Sequence, residues 1–174
     1  MKNICTLLLL LVSLSAVAQK DTRTVAFASG KLTMAIPSSL DTMSKENIWI
    51  KYHKTPDAVN RFYSSSDLSF SAVFTELMPG KKVTEAAMIQ HKEDLVTELQ
   101  TKFELTENEV LTVNGHKIIV VAFGSDTPSG KIFNRRIMAV ADNKLVMVAF
   151  NTTDEDLKNR KAQIETAIQS LQIK

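Results

Sequence analysis

The chain has 174 residues, 21 Lys and Arg against 19 Asp and Glu, a net charge of +2, and a single cysteine. So even a balance gives no general attraction to nucleic acid or to an anionic membrane surface. One cysteine excludes an internal disulfide framework and a cysteine-rich metal site.

In chain order, Met1 to Ala18 reads as a secretory signal peptide. Lys2 supplies the positive start, Leu7 to Val12 with Leu14 the apolar core, and Ala16-Val17-Ala18 the small-x-small cleavage site. The apolar run is too short to span a bilayer. Cys5 precedes that core, whereas a lipid-anchor cysteine follows it, so no lipid anchor is expected. The mature chain, residues 19–174, then has no cysteine and is read as one exported domain with no membrane insertion after cleavage.

Val25 to Ala28 and Lys31 to Ile36 form a hairpin through Ser29-Gly30. Leu32, Met34 and Ile36 give the second strand a buried face, and Pro37 ends it. Ser44 to Tyr52 fits either a short helix capped by Ser44 or a strand, and the helix is preferred. Leu68, Phe70, Ala72 and Phe74 alternate with polar or smaller residues. Their hairpin partner is Asn60 to Ser64, turning through Ser65-Ser66-Asp67. Thr84 opens one long helix to about Phe103, with Met88, Leu95 and Leu99 as its stripe.

Asn114-Gly115 predicts a tight hairpin between Glu109 to Val113 and Lys117 to Phe123. The unbroken apolar run Ile118 to Phe123 implies a strand buried on both faces. Lys131 to Ala141 turns at Asp142-Asn143 into Leu145 to Asn151. Thr152-Thr153-Asp154 is read as the start of a last helix, with Leu157, Ile164, Ile168 and Leu171 on one face. Tight turns between neighbouring strands imply an α+β fold: a central antiparallel sheet of about six or seven strands covered by helices.

This order resembles the PsbP-like fold, which includes DcrB-type bacterial envelope proteins. The residues that carry the likeness are Ile36-Pro37-Ser38, Ser65-Ser66-Asp67, the helix from Thr84, Asn114-Gly115, Asp142-Asn143-Lys144 and the closing Ser170 to Lys174. The resemblance implies an α/β/α sandwich. It also implies a binding or assembly role, as in photosystem accessory subunits, import factors and secretion chaperones. It transfers no functional residues.

Chemistry is sparse. His53, His91 and His116 are scattered, and none has metal-ligand spacing. His91 reads as a helix-edge packing residue. Gly124 and Gly130-Lys131 imitate a phosphate loop, but the spacing is one residue too long and Ile132 stands where a hydroxyl belongs. No Gly-x-Gly and no Gly-x-Ser-x-Gly occurs. Glu104, Glu107 and Glu109 read as a solvated acidic loop.

Two features remain as binding candidates. Arg135 and Arg136 are adjacent in a strand and so point to opposite faces. The plain reading is a salt bridge at a sheet edge; otherwise at least one of the two is buried with a partner, or exposed where the helical cover is incomplete. Trp49 and Tyr52 either pack over one end of the sheet or anchor a partner from an exposed helix. The expected function is a non-catalytic binding or assembly module of the bacterial cell envelope, taking an envelope protein or a small ligand. No nucleic acid, cofactor, metal site or catalytic residue is expected. A ligand or metal carrier, or a hydrolase with a dispersed site, are the alternatives.

Overall fold

A computed structural model describes residues 21–57, 59–127 and 130–174. The expected signal peptide, Met1 to Ala18, lies outside the described residues.

Two antiparallel sheets form the framework. The smaller contains β1 (Thr22–Phe27), β2 (Leu32–Pro37) and β10 (Gln172–Ile173), in the order β1-β2-β10. The larger contains β3 (Asp41–Thr42), β4 (Asn60–Ser64), β5 (Phe70–Glu76), β6 (Leu105–Val113), β7 (His116–Thr127), β8 (Gly130–Ala141) and β9 (Lys144–Thr153). Its order is β3-β4-β5-β9-β8-β7-β6. The turns are those the sequence predicts. Asn114 and Gly115 have φ of 49° and 84°, and Asp142 and Asn143 have φ of 53° and 58°. Such paired left-handed residues match the twist of two-residue hairpins.

The predicted sheet size is met, with one difference: β1 and β2 do not extend the large sheet but lie over it. Leu32, Met34 and Ile36 are fully buried there with Phe74, Val120, Ile137 and Val148 of the large sheet. Apolar alternation shows that a strand buries one face, but not whether it does so beside a sheet or on top of one. The return of Gln172–Ile173 to pair with β2 also has no local sequence signal.

Four helices are described: α1 (Lys45–Tyr52), α2 (Glu85–Gln90), α3 (Lys92–Gln100) and α4 (Leu157–Gln169). α4 joins the small sheet on one face of the large sheet through Ile164, Ala167, Ile168 and the following Leu171. α2 and α3 cover the other face through Met88, Val96 and Leu99, against Ile119, Val121, Phe123 and Met138. α1 covers the β4–β5 end through Ile48, packed with Phe62 and Val73. Ile118 to Phe123 in β7 is therefore buried alternately into both layers, as the unbroken run implies. That strand is next to the edge strand β6, so its double burial comes from the cover rather than from a central position.

The single helix expected from Thr84 to Phe103 is instead two, broken at His91, whose φ and ψ are −100° and 23°. Met88 in α2 and Val96 and Leu99 in α3 all pack against the same face of the sheet. His91 is exposed and pairs with Asp94, rather than packing at a helix edge. The last helix begins at Leu157, after a turn at residues 154–156, because Thr152 and Thr153 remain in β9.

Candidate functional site

The two arginines do point to opposite faces. Arg135 pairs in register with Ala122 and Phe150, and Arg136 with Val121 and Ala149. Arg135 lies on the α4 side. Its guanidinium donates to Glu107 on β6 (2.7 Å) and to Glu165 on α4 (2.5 Å). Its side chain is 8% exposed. Burial opposes its charge, but hydrogen bonds and opposite charges from Glu107 and Glu165 outweigh burial and raise its pKa. Glu107 is thus not part of an acidic loop: β6 begins at Leu105 and carries it inward. The surrounding cleft holds about 350 Å³ and includes Glu109 and Lys161. Arg135 is an interior tie between edge strand and helix, with its fork already filled by carboxylates.

Arg136 has the opposite situation. Its guanidinium lies over the Phe123 ring, 5.1 Å from the centroid. Burial lowers its pKa, opposed by the charge of Glu98. Glu98 itself bonds Lys102 at 2.6 Å.

Ser44 caps α1 by accepting from the Asn47 amide, which settles Ser44 to Tyr52 as a helix. Ile48 and Tyr52 face inward. The Tyr52 ring packs on Phe62 at 5.3 Å, and its hydroxyl lies 2.8 Å from the Ser71 hydroxyl. Burial raises the Tyr52 pKa. Lys51 donates to the Leu68 carbonyl at 2.6 Å, and burial lowers its pKa. Trp49 points outward at 59% exposure, as does Ile50 at 65%. Among the described residues the only other large exposed apolar side chain is Val110.

Beside α1 a groove of about 720 Å³ opens, roughly twice the volume of the Arg135 cleft. Ile50, Tyr52 and His53 form one wall. The floor carries Asn134 and Asn151, paired in register on β8 and β9, with the buried Ser71 of β5 beneath them in register with Asn151. Asn134 donates to the Ser125 hydroxyl at 2.9 Å. Its amide nitrogen also donates to the Ile132 carbonyl at 3.1 Å, so the amide oxygens are the groups left to accept from an extended backbone. At the groove end Asp67 accepts from the Ser65 hydroxyl (2.6 Å), the Ser69 amide (3.0 Å) and the Ser69 hydroxyl (3.0 Å). These bonds hold its pKa down to about 2. Sequence reading found Trp49 and Tyr52 but missed Asn134, Asn151 and Ser71, since they lie on three strands.

The histidines do not gather with nucleophiles. His91 pairs with Asp94, His116 lies 3.4 Å from Glu85, and His53 meets the edge of Trp49. Among the described residues no group of three His, Cys, Asp or Glu side chains is placed to hold a metal ion. None of the described helices is long and apolar enough to cross a membrane.

No protein-family model and no curated protein matches the chain. Solved structures do. A Bacteroides thetaiotaomicron protein matches with a TM-score of 0.58 and 10% identity over 88% of this chain, which spans 49% of that protein. The cyanobacterial PsbP of Synechocystis matches at 0.52 and 11% identity, covering 88% of this chain and 93% of that one. The Ran-binding protein Mog1p of Saccharomyces cerevisiae matches at 0.50 and 14% identity, covering 87% and 95%. The chain has the PsbP-like fold.

Proposed function

We propose that residues 19–174 form one exported, non-catalytic binding module of the bacterial cell envelope. In this reading it docks an extended segment of an envelope protein at α1 and the adjoining groove. The observation that carries the reading is the placement of Trp49 and Ile50: adjacent and exposed on α1, with Ile50 on the wall of the groove. Ile48 and Tyr52 fix the helix from beneath. The backbone that carries the two apolar side chains is therefore fixed before any partner arrives, which reduces the ordering entropy lost on binding. Buried aromatic anchors ringed by polar contacts dominate protein interfaces. The side-chain carbonyl oxygens of Asn134 and Asn151 supply the polar part, as acceptors for backbone amides of an extended segment. That a Ran-binding protein shares the fold supports the framework as one that serves protein docking.

The test is site-specific photo-crosslinking in intact cells, with the crosslinker at residue 50 and, as control, at Lys158, exposed on α4. The reading expects one discrete adduct from residue 50, absent from residue 158. It also expects the crosslinked segment, made as a peptide, to bind the purified module. Equal or absent crosslinking from both positions would contradict it.

A further inference from the structure

Arg136 is a cation without an anion. Among the described residues it makes no hydrogen bond and has no carboxylate at ion-pair distance; its contact is the face of Phe123. The nearest acidic group acting on it, Glu98, is engaged by Lys102. Arg135, one residue away, has two carboxylates, so the difference is local and not a matter of strand composition.

The surroundings of Arg136 are apolar. It lines a cleft of about 360 Å³ between α3 and the sheet, with Leu77, Leu95, Leu99, Phe103, Met138 and Met147. Met138 is 3% exposed and lies at the floor, whereas the side chains of Glu98 and Lys102 are 80% and 58% exposed on the solvent side. The volume falls near the lower end of the roughly 300–1,000 Å³ common for small-molecule sites. The cleft thus joins a hydrocarbon lining to one unused guanidinium fork. The Arg136 guanidinium sits over the Phe123 ring and has no protein acceptor on its N–H groups among the described residues, which leaves it to receive a carboxylate or phosphate, the groups a guanidinium fork binds bidentately. Lys102 adds a second positive charge on the solvent side, so the cleft carries a net positive charge toward an incoming head group.

We propose that this cleft binds a small anionic amphiphile, its acidic head on Arg136 and its alkyl chain along Leu95, Leu99, Met138 and Met147. The site is separate from the docking surface at α1 and does not depend on it. A fatty acid and a lipid phosphate monoester share this chemistry, and the probes below separate them.

The test uses the mature chain with carbon-13-labelled methionine methyl groups, titrated with octanoate, octyl phosphate and octanol. Saturable shifts of the Met138 and Met147 methyls with octanoate or octyl phosphate, leaving Met34 unmoved in the other layer, are expected. A preference for octyl phosphate points to the phosphate source, and one for octanoate to the fatty acid. Arg136→Gln is expected to weaken binding about tenfold or more, the loss of one charge-assisted pair. Lys158→Gln, exposed on α4 on the opposite face of the sheet, is expected to change it about twofold or less. Unshifted Met138 and Met147 methyls at millimolar probe would overturn the proposal. So would octanol binding as tightly as octanoate, since the charge would then play no part. If Arg136→Gln proves unstable, the octanol comparison on the native chain still decides.

Discussion

Replacing Arg135 by Met removes the cation that ties β6 to α4. A methionine fills much of the same volume, so the main effect is electrostatic. Taking one partner from a buried ion pair typically destabilises by about 3–5 kcal/mol. Two features of the structure reduce that figure. Glu107 and Glu165 are 21% and 43% exposed, so both carboxylates regain water when released. The Nε of Arg135 is buried without a partner, so the native arrangement already carries a desolvation penalty of about 1 kcal/mol or more. We therefore expect Arg135→Met to destabilise by about 2–3 kcal/mol. Glu107→Gln should follow at about 1–2 kcal/mol. Glu165→Gln should be smallest, at about 0.5–1 kcal/mol, because solvent screens a carboxylate that exposed. Urea unfolding followed by far-ultraviolet circular dichroism gives all three, and an unchanged m-value keeps the comparison valid. High salt should leave most of the Arg135→Met penalty in place, since a buried pair is screened weakly. The reasoning is refuted if Arg135→Met lies within about 0.5 kcal/mol of the native chain, or if Glu165→Gln exceeds Glu107→Gln.

Other substitutions probe other parts of the account. Gly115→Ala meets no neighbouring atom, yet at φ 84° it should destabilise by about 1–2 kcal/mol through backbone strain alone. Asn114→Ala removes amide bonds to the Gln169 and Leu171 carbonyls, which close the C-terminal end of α4, and should lower stability by about 1–2 kcal/mol in the same urea assay. Phe123→Ala removes a ring stacked on Phe103 at 4.5 Å and the seat of Arg136, and should destabilise by about 3–5 kcal/mol. For Asp67, the folded pKa is depressed below the ordinary 3.8, so its contribution is present above that value and lost as pH falls toward about 2. Stability measured from pH 5 to pH 2 should therefore fall less steeply for Asp67→Asn than for the native chain.

Much of the fold is legible where the signal is local. Asn114-Gly115 and Asp142-Asn143 mark hairpins because their backbones tolerate positive φ, and all four residues adopt it. Ile118 to Phe123 announces double burial because no polar residue interrupts it. The capping hydroxyl of Ser44 favours helix over strand for Ser44 to Tyr52, where apolar spacing alone is ambiguous. The readings that failed depend on distant partners. Glu107 looks solvated beside Glu104 and Glu109, and only the fold brings Arg135 to it. The break at His91 has no glycine or proline to signal it. Leu68 continues the alternation of Phe70 and Ala72 but sits in the turn at φ 60°, since Asp67 organises that turn through Ser65 and Ser69. The adjacency of Arg135 and Arg136 predicts opposite faces correctly, yet not which of them finds carboxylates.

The most direct test of the account is the affinity of the crosslinked envelope segment for the purified module and for its Trp49→Ala variant. Trp49 is 59% exposed, so the substitution should leave stability within about 0.5 kcal/mol of the native chain. Loss of an aromatic anchor at a docking surface should weaken binding by about 2 kcal/mol, some thirtyfold. Intact stability together with lost affinity is expected of Trp49→Ala; unchanged affinity in the folded variant would contradict docking at α1.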